Sequence, residues 1–161
     1  MAIRRILLLG NPMLYEISEP VLSEEIQHVH GIVSDLHDTL IEFRERHGVG
    51  RAIAAPQIGV MKRIIYMFVN DASTVFINPE LDDLSQERFD VWDDCMCFPD
   101  LLVRVRRHQT CRIRFRNLNG EEEQMMAEGH LSELLQHEYD HLNGILAVSR
   151  AIDGQSFALR R

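Results

Sequence analysis

Five consecutive residues, His137-Glu138-Tyr139-Asp140-His141, carry the clearest chemistry in this chain. Four residues advance a helix by slightly more than one turn, so the two imidazoles would leave the same face and could bind one metal ion. Glu138 is adjacent to the first imidazole. From there it can reach a water activated by the ion without ligating, the position of a general base in metal-assisted hydrolysis. The plainer alternative is a pair of surface histidines. Asp140 is either an orienting partner for a ligand ring or a solvated helix acid.

Catalytic metal sites usually take three protein ligands, so two histidines need a partner from elsewhere in the chain. Cys95 is the best candidate, in the acid-rich segment Trp92-Asp93-Asp94-Cys95-Met96-Cys97-Phe98-Pro99. On an extended backbone Cys95 and Cys97 point to opposite sides, so one of them faces the metal; alternatively both are small buried apolar residues. A third island, Gly48-Val49-Gly50-Arg51-Ala52-Ile53-Ala54-Ala55-Pro56-Gln57-Ile58-Gly59, is rich in small residues that permit close backbone approach. It has neither the ending of a phosphate loop nor dinucleotide-fingerprint spacing. Gln57 could donate an N–H to a developing oxyanion, or be a surface amide.

The elements that must position these residues follow from periodicity. Ser23 with Glu24 and Glu25 reads as a helix start, and Ile26, Val29, Ile32, Val33, Leu36, Leu40 and Phe43 recur at helical spacing until Gly48 ends the run. The metal-motif helix is expected from about Gly129 to Asn143, stopped by Asn143-Gly144. Ile6 to Leu9, Ile64 to Val69 and Val75 to Asn78 read as strands, the last two separated by the polar turn 70–73. Leu101 to Val105 and Cys111 to Arg116 alternate with period two, and Asn119-Gly120 supplies a hairpin turn. Arg104, Arg106, Arg112, Arg114 and Arg116 are then either a docking stripe for an acidic partner or solvated alternation. The expected fold class is α+β, one domain over 1–161, with antiparallel sheets packed around the helix that carries the two histidines.

With 161 residues and 45% hydrophobic content, the chain can bury a core without staples. A net charge of -8, from 25 acidic against 17 basic residues, opposes direct nucleic-acid binding and attachment to anionic membranes. The basic start, Met1 to Arg5, leads into an apolar run too short for a signal peptide core. Three cysteines, Cys95, Cys97 and Cys111, favour a reducing compartment, and the cytoplasm is expected.

In order and spacing the three islands resemble peptide deformylases, whose pattern runs Gly-x-Gly-Leu-Ala-Ala-Pro-Gln, then Glu-Gly-Cys-Leu-Ser, then Gln-His-Glu-x-Asp-His-Leu. The matching stretches are Gly50 to Gln57, Asp93 to Cys97 and Gln136 to Leu142, and the opening Ile6 to Val21 is similar too. The resemblance implies Cys95, His137 and His141 as metal ligands, with Glu138 as general base and later proton donor. Gln57 and the backbone N–H of Met96 would hold the oxyanion. It implies one divalent ion, ferrous iron first, with zinc, nickel or cobalt able to occupy the site. The implied reaction is removal of the formyl group from N-formylmethionyl peptides, with release of formate.

Substrate contact is expected at Gly50, Ala52, Asp93, Asp94 and His130, several of which depart from the family pattern. Asp93-Asp94 replaces Glu-Gly, Ala52 replaces the second glycine, and Cys97 replaces serine. His130, seven residues before His137, shares its helix face and could bind a second metal or be a partly exposed helix-start histidine. These departures keep open a different N-formyl substrate; a metallopeptidase and an inactive metal-binding homologue are further alternatives. The implied partner is the nascent N-formylmethionyl peptide. Ribosome contact gains little support, because the chain stops soon after Phe157-Ala158-Leu159-Arg160-Arg161.

Overall fold

The computed structural model describes residues 2–160; Met1 and Arg161, the outermost residues of the two terminal stretches read above, lie outside them. Two helices, α1 (Ile26–His47) and α2 (His130–Leu142), accompany eight strands: β1 (Ala52–Ala54), β2 (Ile64–Val69), β3 (Ala72–Asp82), β4 (Arg88–Asp93), β5 (Leu101–His108), β6 (Thr110–Arg116), β7 (Glu122–Glu128) and β8 (Phe157–Leu159). The strands form two antiparallel sheets, one ordered β1-β2-β3-β6-β7 and the other β4-β5-β8.

Alternation along β2 divides the core between the two faces of the larger sheet. Ile64 and Tyr66 pack with Leu36, Leu40 and Phe43 of α1 on one face. Ile65 and Met67 pack on the other, with Phe76, Ile113 and Phe115 and with Leu134, Leu135 and Leu142 of α2. A third cluster, which includes Leu14, Val103, Val105 and Leu146, lies under the smaller sheet. Helix α2 is thereby surrounded: ten of its thirteen residues are buried, polar ones included. Such a helix is not read by amphipathicity alone, since its polar residues face inward to a site.

Several local expectations need adjusting. Ile6 to Leu9 is not a strand; its backbone instead donates from Leu7 to the Gln57 carbonyl and from Leu9 to the Cys97 carbonyl. Ser23–Glu25 forms a separate 3-10 turn before α1. The β2–β3 turn is tighter than expected, two residues, Asn70 and Asp71, both at positive φ. That is the geometry whose twist suits a two-residue hairpin. The arginines of β5 and β6 mostly pair with neighbouring acids: Arg106 with Asp90, Arg112 and Arg114 with Asp82, Arg116 with Glu122. This favours solvated alternation over a free basic stripe. Among the described residues no helix is long and apolar enough to cross a membrane.

The end of α2 is fixed by a close crossing. The N–H of Ser18 donates to the Leu142 carbonyl, and Gly144, at φ +71°, passes so near the Tyr15 and Glu16 carbonyls that a Cβ would collide with the Tyr15 backbone. Gly144→Ala is therefore expected to lose about 3 kcal/mol or more, since it combines left-handed strain with a backbone clash. Calorimetry should show a melting midpoint lowered by about 6–12 °C, whereas an unchanged midpoint would mean that the crossing relaxes freely.

Candidate metal centre

Helix α2 sets His137 and His141 one turn apart, with their Nε2 atoms 3.2 Å from each other. Cys95 follows the last residue of β4 by two positions, and its Sγ lies 3.4 Å from His141 Nε2. The three donor atoms all fall within 4.8 Å of one another, the only such group of three among the described residues. Contrary to the extended-backbone expectation, Cys95 to Phe98 is a turn, closed by Phe98 N–H donating to the Cys95 carbonyl. Both sulfurs accordingly lie near one group: Gln57 Nε2 is 3.8 Å from Cys95 Sγ and 3.5 Å from Cys97 Sγ.

Behind the donors runs a buried chain of charges. His137 Nδ1 meets Asp93 Oδ2 at 2.8 Å, and Arg107 reaches Asp93 at 3.1 Å and Asp140 at 2.7 Å. Arg150 closes on Asp140 with two bonds of 2.6 and 2.9 Å. Because the Asp93 carboxylate accepts from Nδ1–H, the lone pair of His137 is left on Nε2, pointing at His141 and Cys95. Asp140 is thus neither solvated nor bonded to a ligand ring; it anchors the arginine that holds Asp93.

Burial opposes ionisation of Asp93, yet its neighbours His137 and Arg107 outweigh it and hold the carboxyl down to about 2. Burial likewise opposes charge on His137, but Asp93 pushes it up to about 9. His141 goes the other way, well below the usual histidine range, through burial and the charge on His137. Burial also raises Glu138 to about 7 and lifts the Cys95 thiol well above its ordinary range. Two imidazoles and a thiol converging in this way match the soft and borderline donor set preferred by divalent transition metals, so the residues fit such an ion. Glu138 Oε2, buried beside them, has no hydrogen-bond partner.

A cavity of about 420 Å³ opens onto this cluster. Gly50, Ala52, Gln57, Asp93, Asp94 and Met96 line it together with Cys95, His137 and Glu138. Gln57 is held on a 3-10 turn, Ala55–Ile58, with its Oε1 accepting from the Ala54 N–H at 2.8 Å, so that Nε2 faces the sulfurs. The Asp93 carboxylate is turned toward His137 and Arg107, and the residue is only 4% exposed. His130 is exposed and absent from the cavity wall; its backbone carbonyl lies 3.4 Å from Arg51 Nη1. Sequence reasoning missed Arg107, Arg150, Arg51, Glu133 and Arg160. For Arg107 a signal existed: it falls in phase with the buried Val103 and Val105, an arginine at an inward position of β5.

Comparison with known proteins agrees with this geometry. A family model described as Polypeptide deformylase matches residues 3–156. A peptide deformylase of Leptospira biflexa is 35% identical, covering 93% of this chain and 88% of its own length. One from Carboxydothermus hydrogenoformans is 37% identical, covering 94% and 95% respectively. The crystal structure of the Thermotoga maritima peptide deformylase superposes with a TM-score of 0.87 at 27% identity, covering 95% of this chain and 100% of that one. The Acinetobacter baumannii enzyme with Met-Ala-Ser bound gives 0.85 at 28% identity, covering 92% and 98%. The chain belongs to the polypeptide deformylase family.

Proposed function

We propose that this protein removes the formyl group from N-formylmethionyl peptides, with Cys95, His137 and His141 holding one divalent ion and Glu138 moving the protons. The observation that carries this reading is the convergence of those three donor atoms beside a buried, unpartnered Glu138 oxygen at the floor of a cavity. A bound divalent ion supplies Lewis acidity toward the formyl oxygen and makes water a better nucleophile.

The chain's own residues do the rest. Glu138 accepts a proton from the attacking water and returns it to the departing nitrogen, so that formate and a free amino terminus leave. A carboxyl raised to about 7 is suited to that exchange near neutral pH. Gln57 Nε2 and the N–H of Met96 receive the charge that develops on the formyl oxygen. Asp93 and Arg107 are positioning residues that fix the ring of His137. The Met-Ala-Ser peptide bound to the Acinetobacter enzyme supports a peptide carrying an amino-terminal methionine as the product. We propose ferrous iron as the native ion on the family resemblance, with zinc, nickel or cobalt as substitutes that the mixed sulfur and nitrogen donor set also accepts. The free cysteines Cys95, Cys97 and Cys111 support residence in the reducing cytoplasm.

Formate release from formyl-Met-Ala-Ser by protein loaded anaerobically with ferrous iron is the first test. Glu138→Gln should lower it by about 10²–10⁴-fold while retaining the metal; equal rates would remove Glu138 from the mechanism. Asp93→Asn should weaken metal binding by about 10–100-fold, read by chelator competition, because the ring of His137 loses its anionic acceptor. Metal affinity should also rise with pH. The protons on His137, raised to about 9, and on the Cys95 thiol occupy the lone pairs the ion needs, so binding must expel both. Affinity is expected to climb by about 100-fold per pH unit between roughly 6 and 8, and a flat profile would mean that the apo site is already deprotonated.

A further inference from the structure

The wall of the cavity carries charges that the proposed chemistry does not use. Arg51, at the entry to β1, lines the cavity, with its side chain 42% exposed. Its Nη2 donates at 2.7 Å to Glu133, whose side chain is only 4% exposed and stands one helical turn before His137. Arg44 of α1 lines the same cavity, held by the carbonyls of Gly50 at 3.0 Å and Phe68 at 2.6 Å. No carboxylate pairs with Arg44 among the described residues. Across the opening, Arg160 pairs with Asp94 at 2.7 Å.

Three guanidiniums, Arg44, Arg51 and Arg160, thus line a cavity whose wall also carries the carboxyls of Asp94 and Glu138, while Glu133 is paired with Arg51 and Asp93 is engaged by Arg107 and His137. Arg51 and Arg44 thus place cationic groups on the cavity wall of a chain whose net charge is -8. Burying Glu133 beside Leu134 and Leu135 gives no stability that an apolar pair of similar volume would not match. What the pair does supply is an arginine fixed in place, with three of its five N–H groups left over for a ligand.

We propose that this guanidinium wall selects N-formyl peptides that carry a carboxylate close to the formyl amide, on the first side chain or at the C-terminus of a dipeptide. The inference rests on the deformylase reading: a C-terminal carboxylate keeps the methionine of that reading, whereas a carboxylate on the first side chain replaces it. Arg51 is the specificity-determining residue, Glu133 positions it, and Arg44 supplies a second cation that no carboxylate pairs with among the described residues.

The test compares kcat/KM of the iron-loaded enzyme on formyl-Met-Ala-amide, formyl-Met-Ala with a free carboxylate, and formyl-Glu-Ala-amide. At least one acidic substrate should exceed the neutral one by about tenfold, and which one does identifies the position of the carboxylate. The advantage should shrink at high salt. In the double variant R51L/E133L, which leaves no buried charge unpaired, the preference should fall to about twofold or less. Equal or faster turnover of the neutral amide by the wild-type enzyme overturns the inference whether or not that variant folds. Formate from none of the three overturns the deformylase reading instead. In that case calorimetry with the formyl-free products Met-Ala, Met-Ala-amide and Glu-Ala-amide judges the wall alone: tighter binding of an acidic peptide upholds the inference, and equal binding overturns it.

Discussion

A run of alternating charge, His137–Asp93–Arg107–Asp140–Arg150, buried in all but its last member, is the interaction on which the rest of this structure depends. Removing each ion from water costs several kcal/mol, and only close pairing with good geometry offsets that. The run meets the condition because each interior member touches an opposite charge on both sides, at 2.6 to 3.1 Å. Its members come from β4, β5, α2 and the turn after α2, so no two of these elements can shift independently without leaving an ion bare. Electrostatic necessity thus does for the smaller sheet what apolar packing does for the larger one.

This constraint explains why α2 is enclosed rather than laid on a surface. A helix that presents His137, Glu138 and His141 to an ion on one side and Asp140 to Arg107 on another has little apolar circumference left. Leu134, Leu135 and Leu142 occupy it, against the five-stranded sheet. The remaining polar positions are satisfied locally: Gln136 Nε2 donates to the His108 carbonyl at 2.9 Å while its Oε1 accepts from the His108 N–H at 3.0 Å. The C-terminal end of β5 is thereby registered to the helix twice, Arg107 by charge and His108 by its backbone. The pairing of Asp93 with Val103 in the β4–β5 register sets where β4 ends, and with it where Cys95 meets the histidines.

Much of this was legible in the sequence, and the reasons for success and failure differ by element. Residues whose neighbours in space are also neighbours in sequence were readable: His137 and His141 by helical spacing, the strand Ile64–Val69 by its apolar run, and the end of α2 by Asn143-Gly144. Cys95 is the best local candidate for a third ligand, but a turn, not an extended strand, decides which way its sulfur faces. Asp93, expected at substrate contact, does line the cavity, and its carboxylate also meets His137, a partner 44 residues away that the sequence does not announce. Long-range pairs of that kind have no local signature. The Arg51–Glu133 pair spans 82 residues and was invisible for the same reason. Arg107 was readable and missed: an inward arginine in a strand is costly unless an acid waits for it, so its phase alone demanded buried carboxylates.

The two groups of charges around the cavity differ in what they permit. The inner run is buried from His137 to Asp140 and reaches solvent only at Arg150, so a change to any of its four inner members leaves an uncompensated ion in a low-dielectric interior. The outer pairs, Arg51–Glu133 and Arg160–Asp94, each keep one partner partly solvated, with side-chain exposures of 42% for Arg51 and 31% for Arg160. Water softens the cost of altering them. The charges at the mouth can therefore change at little cost while the Cys95, His137 and His141 floor stays fixed. The departures from the family pattern fit this division, with conservative Asp93 at the inner run and the more disruptive Asp94 at the rim.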